Sequence, residues 1–298
     1  MLLSIIVPSL NQNRFIESTL DSILAQSYRT FEVLVIDGAS SDGTVETLRC
    51  YAARYPELRW VSEPDGGPAD AINKGLAMAR GDIAGIQSAD DIYYPGAFDA
   101  VIELFNSDPD LGFVIGDYSG LDERGCVLYS EQIPEFSWEA YFARSMSIPQ
   151  SSIFFRLDVA SSIGGWNAAY YCCDLDFWLR LLLRTKAGHV SRVLSGWRLY
   201  PGQRTSGKVA ARLWSDYRQM IRDCRDLKSA PLRVRRLARA STHLRALRFY
   251  PKKDPWAVRG HLLIGWLLHP TFWRYYPWDL AGWLPGVRRL RRLRNQPS

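Results

Sequence analysis

Short runs of hydrophobic residues alternate with longer amphipathic segments over the first 117 residues of the chain. Such alternation is typical of strands joined by helical crossovers in a mostly parallel sheet. The apolar runs predict strands at Leu3–Pro8, Glu32–Asp37, Leu58–Ser62, Ile83–Gln87 and Phe113–Asp117. Helical spacing of apolar residues predicts helices at Phe15–Gln26, Thr44–Tyr55, Ala69–Ala79 and Ala97–Phe105. We therefore expect an α/β nucleotide-binding arrangement.

The pattern changes twice after this region. Residues 118–200 indicate a mixed second layer, with a hairpin turn at Asp122–Gly125, strands at Ser152–Arg156 and near Val190–Leu194, and a helix at Asp174–Arg184. Beyond residue 201, Lys208–Arg248 has the spacing of two amphipathic basic helices divided near Pro231. A helical C-terminal extension is therefore predicted after the α/β region.

Charge divides the chain in the same way. The net charge is +6, yet residues 1–150 carry 9 Lys and Arg against 23 Asp and Glu, a net −14. The remainder carries 28 against 8, a net +20. With 47% hydrophobic residues the chain is globular rather than disordered. An acidic half and a basic half imply two different tasks.

Targeting and redox signals point to a reducing compartment. The apolar start of the chain is short, has no basic segment before it and no cleavage site after it, so we interpret it as a buried strand. The longest uncharged stretch near the C-terminus, between Arg259 and Arg274, is too short for a transmembrane helix and contains Pro270. Five cysteines without a CxxC pair fit neither a disulfide framework nor a zinc site.

Polar residues follow four of the predicted strands directly. Ligands in parallel sheets bind outside the carboxyl ends of the strands, so these groups are expected to share one edge. Asp, Asn and Ser are also common helix caps and turn formers, which is the alternative for each one taken alone. The groups are Ser9 and Asn11, Asp37, Glu63 and Asp65, and Asp90 and Asp91.

The pair Asp90-Asp91 has the chemistry of a cation site. Two adjacent carboxylates repel each other unless a divalent cation or a pair of ribose hydroxyls shares them. Ligation by oxygen alone favours Mg²⁺ or Mn²⁺ over zinc. No pair of histidines has a metal-binding spacing, which argues against a histidine-built site.

Five motifs in register resemble those of family 2 inverting glycosyltransferases of the bacterial surface-glycan type. They are Ile5–Asn11, Val33–Thr44, Glu63–Gly67, Asp70–Gly75 and Ser88–Asp91. The resemblance covers residues 1–206 and implies a catalytic domain of the GT-A fold, a Rossmann-like, mostly parallel sheet flanked by helices. Residues 207–298 would then form a second, helical, basic and tryptophan-rich region.

The resemblance also implies roles for individual residues. It assigns the metal, Mn²⁺ or Mg²⁺, to Asp91. Gln12 stands where many relatives have an acidic residue. The positions that the resemblance assigns to the nucleotide sugar are Pro8, Ser9, Asn11, Asp37, Asp65, Asp70 and Asp90.

The catalytic base implied by the resemblance is Asp174. It matches the aspartate at the start of a helix that takes the acceptor's proton in the family, and Cys173 replaces the glutamate that usually precedes it. The two side chains Asp174 and Asp176 point about 200° apart on a helix, so both cannot address one substrate atom. Asp176 is the second choice. The alternative role for Asp174 is to stabilise the helix N-terminus.

Four further residues are expected on the acceptor or phosphate side. Gln150 is a candidate to bond a sugar, and Trp166 fits either stacking on a sugar or packing in the core. Arg204 and Ser206 lie in a segment that resembles the family's diphosphate region, with a polar loop as the alternative. Tyr200 stands in that segment where the family often has a histidine that assists the metal.

The C-terminal region combines indole rings, leucines and arginines. Trp256, Trp266, Trp273, Trp278 and Trp283 suit the headgroup layer of a membrane, and arginines favour an anionic surface. The alternative is that the helices pack on the catalytic domain. The acidic catalytic half and the lack of any reading motif argue against nucleic acid as a partner.

The sequence thus predicts a cytoplasmic enzyme held at the inner face of the cell membrane. Its substrates would be a nucleotide-diphosphate sugar and a lipid-linked saccharide or other surface-glycan acceptor. A non-catalytic nucleotide-sugar-binding or membrane-scaffold protein with the same fold is the alternative. A dinucleotide oxidoreductase is disfavoured because the first strand is not followed by GxGxxG.

Overall fold

The computed structural model describes residues 1–143, 148–201, 210–246 and 255–269. These residues form two compact units. The first comprises Met1–Phe136 and Ile148–Gly207, and the second is built from the described parts of Ser137–Ser147 and Lys208–Ser298.

The first unit is built on one sheet with strand order β3-β2-β1-β4-β8-β6-β9-β5, and β7 pairs with β6 at the side. The strands are β1 Leu3–Ser9, β2 Phe31–Asp37, β3 Leu58–Ser62, β4 Ile83–Ile86, β5 Ile92–Tyr93, β6 Leu111–Leu121, β7 Val127–Glu131, β8 Ile153–Arg156 and β9 Lys186–Arg198.

Eleven helices are present among the described residues, and five of them (α5 and α8–α11) belong to the second unit. The helices are α1 Ile16–Leu24, α2 Thr44–Arg54, α3 Pro68–Met78, α4 Ala97–Ser107, α5 Trp138–Ala143, α6 Leu157–Ser162, α7 Cys173–Leu182, α8 Ala210–Asp223, α9 Arg225–Ser229, α10 Leu232–Ala246 and α11 Pro255–Leu268. A single 3-10 turn covers Gln150–Ser152.

Strands β1 to β4 are parallel neighbours that run in the order β3-β2-β1-β4. Strand β2 is buried at every position, as expected for a strand covered on both faces. The register pairs Ser9 with Asp37 and Asp37 with Ser62, so the carboxyl ends of β1, β2 and β3 lie side by side. We call this border, together with the end of β4, the strand-end edge.

The predicted α/β architecture is confirmed, with differences beyond β4. Strands β6 and β9 are longer than the apolar runs indicated, and they pair in parallel with each other. Strand β8 lies antiparallel between β4 and β6. The predicted turn at Asp122–Gly125 closes the β6–β7 hairpin, with Asp122 N donating to Cys126 O over 2.9 Å.

In the second unit α10 packs against α5, α8 and α11. Its apolar face, including Val234, Leu237 and Ala238, is buried. The predicted division near Pro231 is confirmed, and the short α9 lies between the two expected helices. Trp273, Trp278 and Trp283 lie outside the described residues. Within the described ranges, no helix is both long enough and apolar enough to cross a membrane.

Candidate active site

The strand-end edge brings the first three predicted polar groups together. Gly38 N donates to Ser9 O over 2.9 Å, and Glu63 N donates to Asp37 O over 3.0 Å. The Ser9 hydroxyl is buried and makes no hydrogen bond within the part of the chain that the structure describes. A buried hydroxyl without a partner is costly, so this oxygen is available to a ligand at the edge.

The Asp37 carboxylate is committed to the protein. It is fully buried, Ser40 N and Ser62 Oγ donate to its Oδ2 over 2.9 and 2.7 Å, and the Ser40 hydroxyl donates to Oδ1. The loop after β2 is therefore folded around this carboxylate. Asp37 supports the edge through that loop, whereas its predicted contact with a base is untested.

Asn11 joins the loops that follow β1 and β2. Its backbone has a φ of 52°, a left-handed conformation that Asn adopts more readily than most residues. Its Oδ1 accepts from Ser41 N over 2.9 Å, and its own N donates to Ser40 Oγ over 2.7 Å. Gln12 N donates to Thr44 Oγ1 over 3.0 Å. These bonds hold both loops in one arrangement beside Pro8.

Asp65 reaches the edge because Gly38 has no side chain. A Cβ on Gly38 would lie 2.8 Å from Asp65 Oδ2 and 3.4 Å from a methyl group of Leu10. Gly67 N donates to the other carboxylate oxygen of Asp65 over 2.8 Å. Leu10 is largely exposed. An apolar side chain, a bare backbone and a carboxylate therefore line one small bay at the end of β2.

Asp70 lies in the first turn of α3 and closes the same loop. The Gly66 N–H donates to its Oδ2 over 3.0 Å. This bond, helped by the charge of Lys74, lowers the pKa of Asp70. Lys74 also contacts Glu63, with Nζ 2.9 Å from Oε1. Asp70 thus holds the segment that carries Asp65.

Asp91 is buried beneath the loop after β4, with 2% of its surface exposed. Arg198 N donates to its Oδ1 over 2.9 Å, and Thr19 Oγ1 donates to its backbone oxygen over 2.7 Å. Burial, followed by the charge of Asp90, raises the pKa of Asp91 well above its ordinary value, although Arg198 and Ser88 act in the opposite direction. The charged form of Asp91 is therefore only partly stabilised by the protein, which favours a bound proton or cation at this pair.

Asp90 is only half-buried and carries a side-chain contact of its own. Tyr200 donates its hydroxyl to Asp90 Oδ2 over 2.9 Å, and the side chain of Gln12 lies near the same phenol oxygen. Burial, followed by the charge of Asp90, raises the pKa of Tyr200 to about 12. The loop after β1 and the carboxylate after β4 therefore belong to one site.

Arg198 at the end of β9 fixes the Asp90-Asp91 loop from the other side. Its Nε donates to Asp90 O over 2.7 Å and its Nη1 to Glu123 O over 3.0 Å. Its guanidinium also lies over the ring of Phe15, 4.8 Å from the ring centroid. One buried cation thus places both aspartates and offsets part of their charge.

A divalent cation fits this carboxylate pair. Among the described residues no group of three or more His, Cys, Asp and Glu side chains is suited to hold a metal. Mg²⁺ is commonly bound by one or two carboxylates and completes its shell with water and substrate phosphates. The unbalanced charge at Asp90 and Asp91 matches that mode of binding, in which the protein supplies only part of the shell.

The candidate base Asp174 lies in the first turn of α7, half-buried, directly after the buried Cys173. Asp176, two residues later on a different face of α7, has a different role. Arg180 binds its Oδ2 with Nε at 2.8 Å and Nη2 at 2.7 Å, and the same guanidinium donates to Ile163 O and Gly165 O. Burial raises the pKa of Asp176, and Arg180 offsets only part of that rise. Asp176 therefore anchors a loop, and this commitment disfavours it as a base.

Trp166 lies in the core. It is 5% exposed and packs against Phe177 and Trp178, with ring centroids 5.7 and 5.9 Å away. Asn73 clamps its backbone, accepting from Trp166 N over 2.7 Å and donating to Trp166 O over 2.9 Å. Of the two expectations for Trp166, packing in the core is the one that the structure supports, because the ring is not presented to a sugar.

Of the remaining predicted residues, only Gln150 is among those that the structure describes. Gln150 begins the 3-10 turn before β8 and is half-buried. Arg204 and Ser206 lie outside the described residues.

Sequence reasoning missed Gly38, Leu10 and the role of Arg198. Each matters only through a neighbour that is distant in the chain, so local spacing carried no signal for it. The signal that existed was positional, because Leu10 and Gly38 lie one or two residues after the ends of predicted strands, close to the polar groups that were singled out.

Comparison with known proteins agrees with this geometry. The profile of "Glycosyl transferase family 2" matches residues 4–158. The chain is 25% identical over 211 residues to chondroitin synthase of Escherichia coli, a match that covers 70% of the chain but 30% of that protein. It is 32% identical over 188 residues to an uncharacterised glycosyltransferase of Mycobacterium tuberculosis, covering 60% of the chain and 68% of the relative. The chain thus spans about a third of the length of the chondroitin synthase.

Solved structures share the fold. TarS of Staphylococcus aureus, residues 1–349 in complex with UDP-GlcNAc, superposes with a TM-score of 0.69 at 16% identity, covering 95% of this chain and 84% of that one. The mannosyltransferase PcManGT from Pyrobaculum calidifontis, in complex with GDP-Man and Mn²⁺, gives 0.62 at 20% identity, covering 97% and 79%. At these identities the likeness concerns the fold, which is of the GT-A type.

Proposed function

The chain belongs to glycosyltransferase family 2, and from this premise we propose that it transfers a sugar from a nucleoside diphosphate donor to a hydroxyl group. The observation that carries the proposal is the strand-end edge, where Ser9, Asp65 and Asp90 with its partner Tyr200 follow the ends of neighbouring strands. Neighbours of the same fold hold UDP-GlcNAc, or GDP-Man with Mn²⁺, which supports a nucleotide sugar as the donor.

For the nucleotide we propose the bay formed by Leu10, Gly38 and Asp65. Its apolar side chain and close backbone suit the flat face of a base, and the Asp65 carboxylate suits a donor group on its edge. Pro8, Ser9 and Asn11 border the bay. The Asp37 carboxylate contributes indirectly, since its oxygens accept from Ser40 and Ser62.

For the cation, Mn²⁺ or Mg²⁺, we propose Asp90 as the principal protein ligand, with Asp91 behind it. The family resemblance assigned the metal to Asp91 and the nucleotide sugar to Asp90. Asp90 is the more exposed carboxylate, whereas Asp91 is 2% exposed and accepts from Arg198 N. A bound cation would neutralise charge that develops on the leaving diphosphate.

The reaction we propose is a single displacement with inversion. The oxygen of the acceptor hydroxyl bonds to the anomeric carbon while the bond from that carbon to the diphosphate oxygen breaks. The hydroxyl proton passes to the Asp174 carboxylate, and the electron pair leaves with the nucleoside diphosphate. The position of Asp174 in the first turn of α7 supports this role through its match to the family motif.

Replacing Asp174 with Asn tests the assignment. Loss of a general base typically costs 10²- to 10⁴-fold, so we expect a fall in donor transfer of roughly 1,000-fold with nucleotide affinity unchanged. Consumption of a panel of nucleotide sugars with Mn²⁺ and extracted lipids as acceptors gives the readout. Asp158→Asn is the matched control, because Asp158 also lies in the first turn of a helix.

Two outcomes would count against the proposal. Equal losses in the Asp174 and Asp158 variants would mean that Asp174 only stabilises its helix. Nucleotide-sugar binding by the wild type without any turnover would favour the non-catalytic binding or scaffold protein.

We propose further that residues 1–206 are catalytic and that residues 207–298 hold the enzyme on an anionic membrane surface, at the inner face of the cell membrane. Helix α11 supports this with an apolar face about 160° wide at 100° per residue. Leu263, Ile264, Trp266 and Leu267 on that face are 41–63% exposed, whereas Gly265 on the opposite side is buried. A lipid-linked saccharide, as an acceptor for a surface glycan, is consistent with such a location.

Basic groups lie near the other side of the helix. At 100° per residue, His261 and His269 fall on the same side as Gly265, opposite the apolar face. Burial lowers the pKa of His261, and the nearby charge of Arg218 adds to the effect. Burial likewise lowers the pKa of His269, an effect that the charge of Glu139 opposes and the charges of Arg233 and Arg236 increase. The arginines of this unit give it a positive charge that is complementary to anionic headgroups.

Replacing Leu263 and Leu267 with Ser tests the membrane contact. Exposed leucines that become buried in lipid contribute hydrophobic free energy, so binding to phosphatidylglycerol vesicles should fall roughly 10-fold or more in a flotation assay. The matched control replaces Val127 and Leu128, which are equally exposed on β7. Equal binding by both variants, or no binding by the wild type, would contradict the proposal. Self-association that is lost in the Leu263 variant would identify a second copy as the occupant instead.

A further inference from the structure

The two positions near the cation site where this sequence departs from its family meet in the structure. By the family resemblance, Gln12 stands where many relatives have an acidic residue, and Tyr200 stands where a histidine is often found. The Tyr200 hydroxyl donates to Asp90 Oδ2 over 2.9 Å, and the Gln12 side chain lies near that hydroxyl. The two departures therefore lie next to each other beside Asp90.

The Tyr200 ring is held in place by packing. It contacts Phe15, with ring centroids 5.0 Å apart, and the guanidinium of Arg198 covers the same Phe15 ring at 4.8 Å. Arg198 also donates to the backbone oxygen of Asp90. The phenol and the carboxylate are thus fixed against each other by side chains from the loop before α1 and from β9.

We propose that Tyr200, oriented by Gln12, is a positioning residue that holds the Asp90 carboxylate ready for a metal-bound nucleoside diphosphate. The inference rests on the proposed function. A histidine at position 200 could bind the metal directly through a ring nitrogen. The phenol of Tyr200 instead donates a hydrogen bond to the Asp90 carboxylate. In this site the residue at position 200 therefore orients a metal ligand and does not itself contact the metal. Mutation of a residue that bonds to a metal ligand typically lowers metal affinity 10- to 100-fold.

Tyr200→Phe tests the inference by a readout other than turnover. Mn²⁺ is titrated into the full chain with UDP or GDP present, and the free ion is measured by electron paramagnetic resonance. We expect the apparent Kd for Mn²⁺ to rise by about 10- to 100-fold. Nucleotide affinity without metal, measured by calorimetry, should stay within about twofold, because the base bay does not include Tyr200.

Tyr51→Phe is the matched control. Tyr51 also donates its hydroxyl to a carboxylate, Asp21 Oδ1, over 2.7 Å, but between helices α1 and α2. Its removal should leave Mn²⁺ affinity unchanged. A wild-type Kd in the Tyr200 variant, or an equal loss in the Tyr51 variant, would overturn the inference.

Gln12→Ala provides an independent test. Because Gln12 acts through Tyr200, its removal should weaken Mn²⁺ binding by a smaller factor and have no further effect in the Tyr200→Phe background. Additive losses would show that Gln12 acts separately. A wild-type chain that binds neither nucleotide in a metal-dependent way would overturn the proposed function itself, an outcome distinct from failure of the Tyr200 role.

Discussion

Two groups of aspartates follow strands of the same sheet, and they are treated differently by the fold. Asp37, after β2, is fully buried, and three hydrogen bonds from Ser40 and Ser62 satisfy its carboxylate. Asp90 and Asp91, after β4, lie side by side, and burial and mutual repulsion raise the pKa of Asp91 by more than Arg198 lowers it. The difference teaches that a carboxylate at a strand end is defined by its donors, not by its place in the sequence.

Asp90→Asn should have the largest effect of the changes that probe this difference. Without its charge the pair no longer attracts a divalent cation, which is worth several kcal/mol of transition-state stabilisation. We expect turnover to fall by roughly 1,000-fold, or about 4 kcal/mol. The thermal midpoint should change little, because Tyr200 can still donate to the amide oxygen.

Asp91→Asn is the comparison that can overturn this expectation. Asparagine still accepts from Arg198 N, so the loop should keep its arrangement. If the Asp91 variant loses metal-dependent turnover and the Asp90 variant keeps it, Asp91 is the metal ligand, as the family resemblance assigns it.

Much of the fold was predictable because local patterns carried it. The four parallel strands β1 to β4 and the helices between them were recognised within one or two residues, since each combines an apolar run with a polar stop. Strands β5 and β7 were not recognised. The first has two residues and the second is exposed at every position, so neither produces the alternation that marks a half-buried strand.

Asp37→Asn should reduce stability rather than chemistry. One oxygen of the carboxylate becomes an NH₂ group that faces the donors of Ser40 or Ser62, so at least one bond is replaced by an unfavourable contact. We expect the free energy of unfolding in urea to fall by about 2–3 kcal/mol. Below its thermal midpoint the variant should bind nucleotide normally. Wild-type stability with lost nucleotide binding would instead mean that Asp37 contacts the base, as the resemblance assigns it.

The site was predictable only in part. The chain order of the motifs identified the residues, but their roles depend on contacts with distant segments. The resemblance placed Tyr200 near the metal, but nothing in the sequence indicates its hydrogen bond to Asp90. Likewise, nothing near Asp176 distinguishes it from Asp174 except Arg180 one turn later. Trp166 shows the same limit, because its burial follows from packing on α7.

Glu32→Gln extends the comparison of Asp37 with Asp90 and Asp91 to a third carboxylate. Glu32 also accepts hydrogen bonds from the protein, but it lies far from the strand-end edge. Burial raises the pKa of Glu32, but hydrogen bonds from Arg80 N, Ser4 and Arg59 outweigh it, so the pKa lies below its ordinary value of 4.5. Such a group stabilises the fold above the unfolded pKa, and that contribution is lost as the pH falls through the folded pKa. At neutral pH we expect the variant to be about 1 kcal/mol less stable than the wild type.

The pH dependence distinguishes this effect from a general loss of packing. Below pH 4.5 the gap in unfolding free energy between the wild type and Glu32→Gln should narrow, because the wild-type carboxylate becomes protonated and loses its advantage. Glu46→Gln is the control, since Glu46 is exposed beside Arg49 and should show no such gap. A gap that stays constant from pH 7 to pH 3 would mean that Glu32 acts by shape and not by charge. The hydrogen-bond donors around Glu32 would then not determine its contribution to stability, in contrast to those around Asp37.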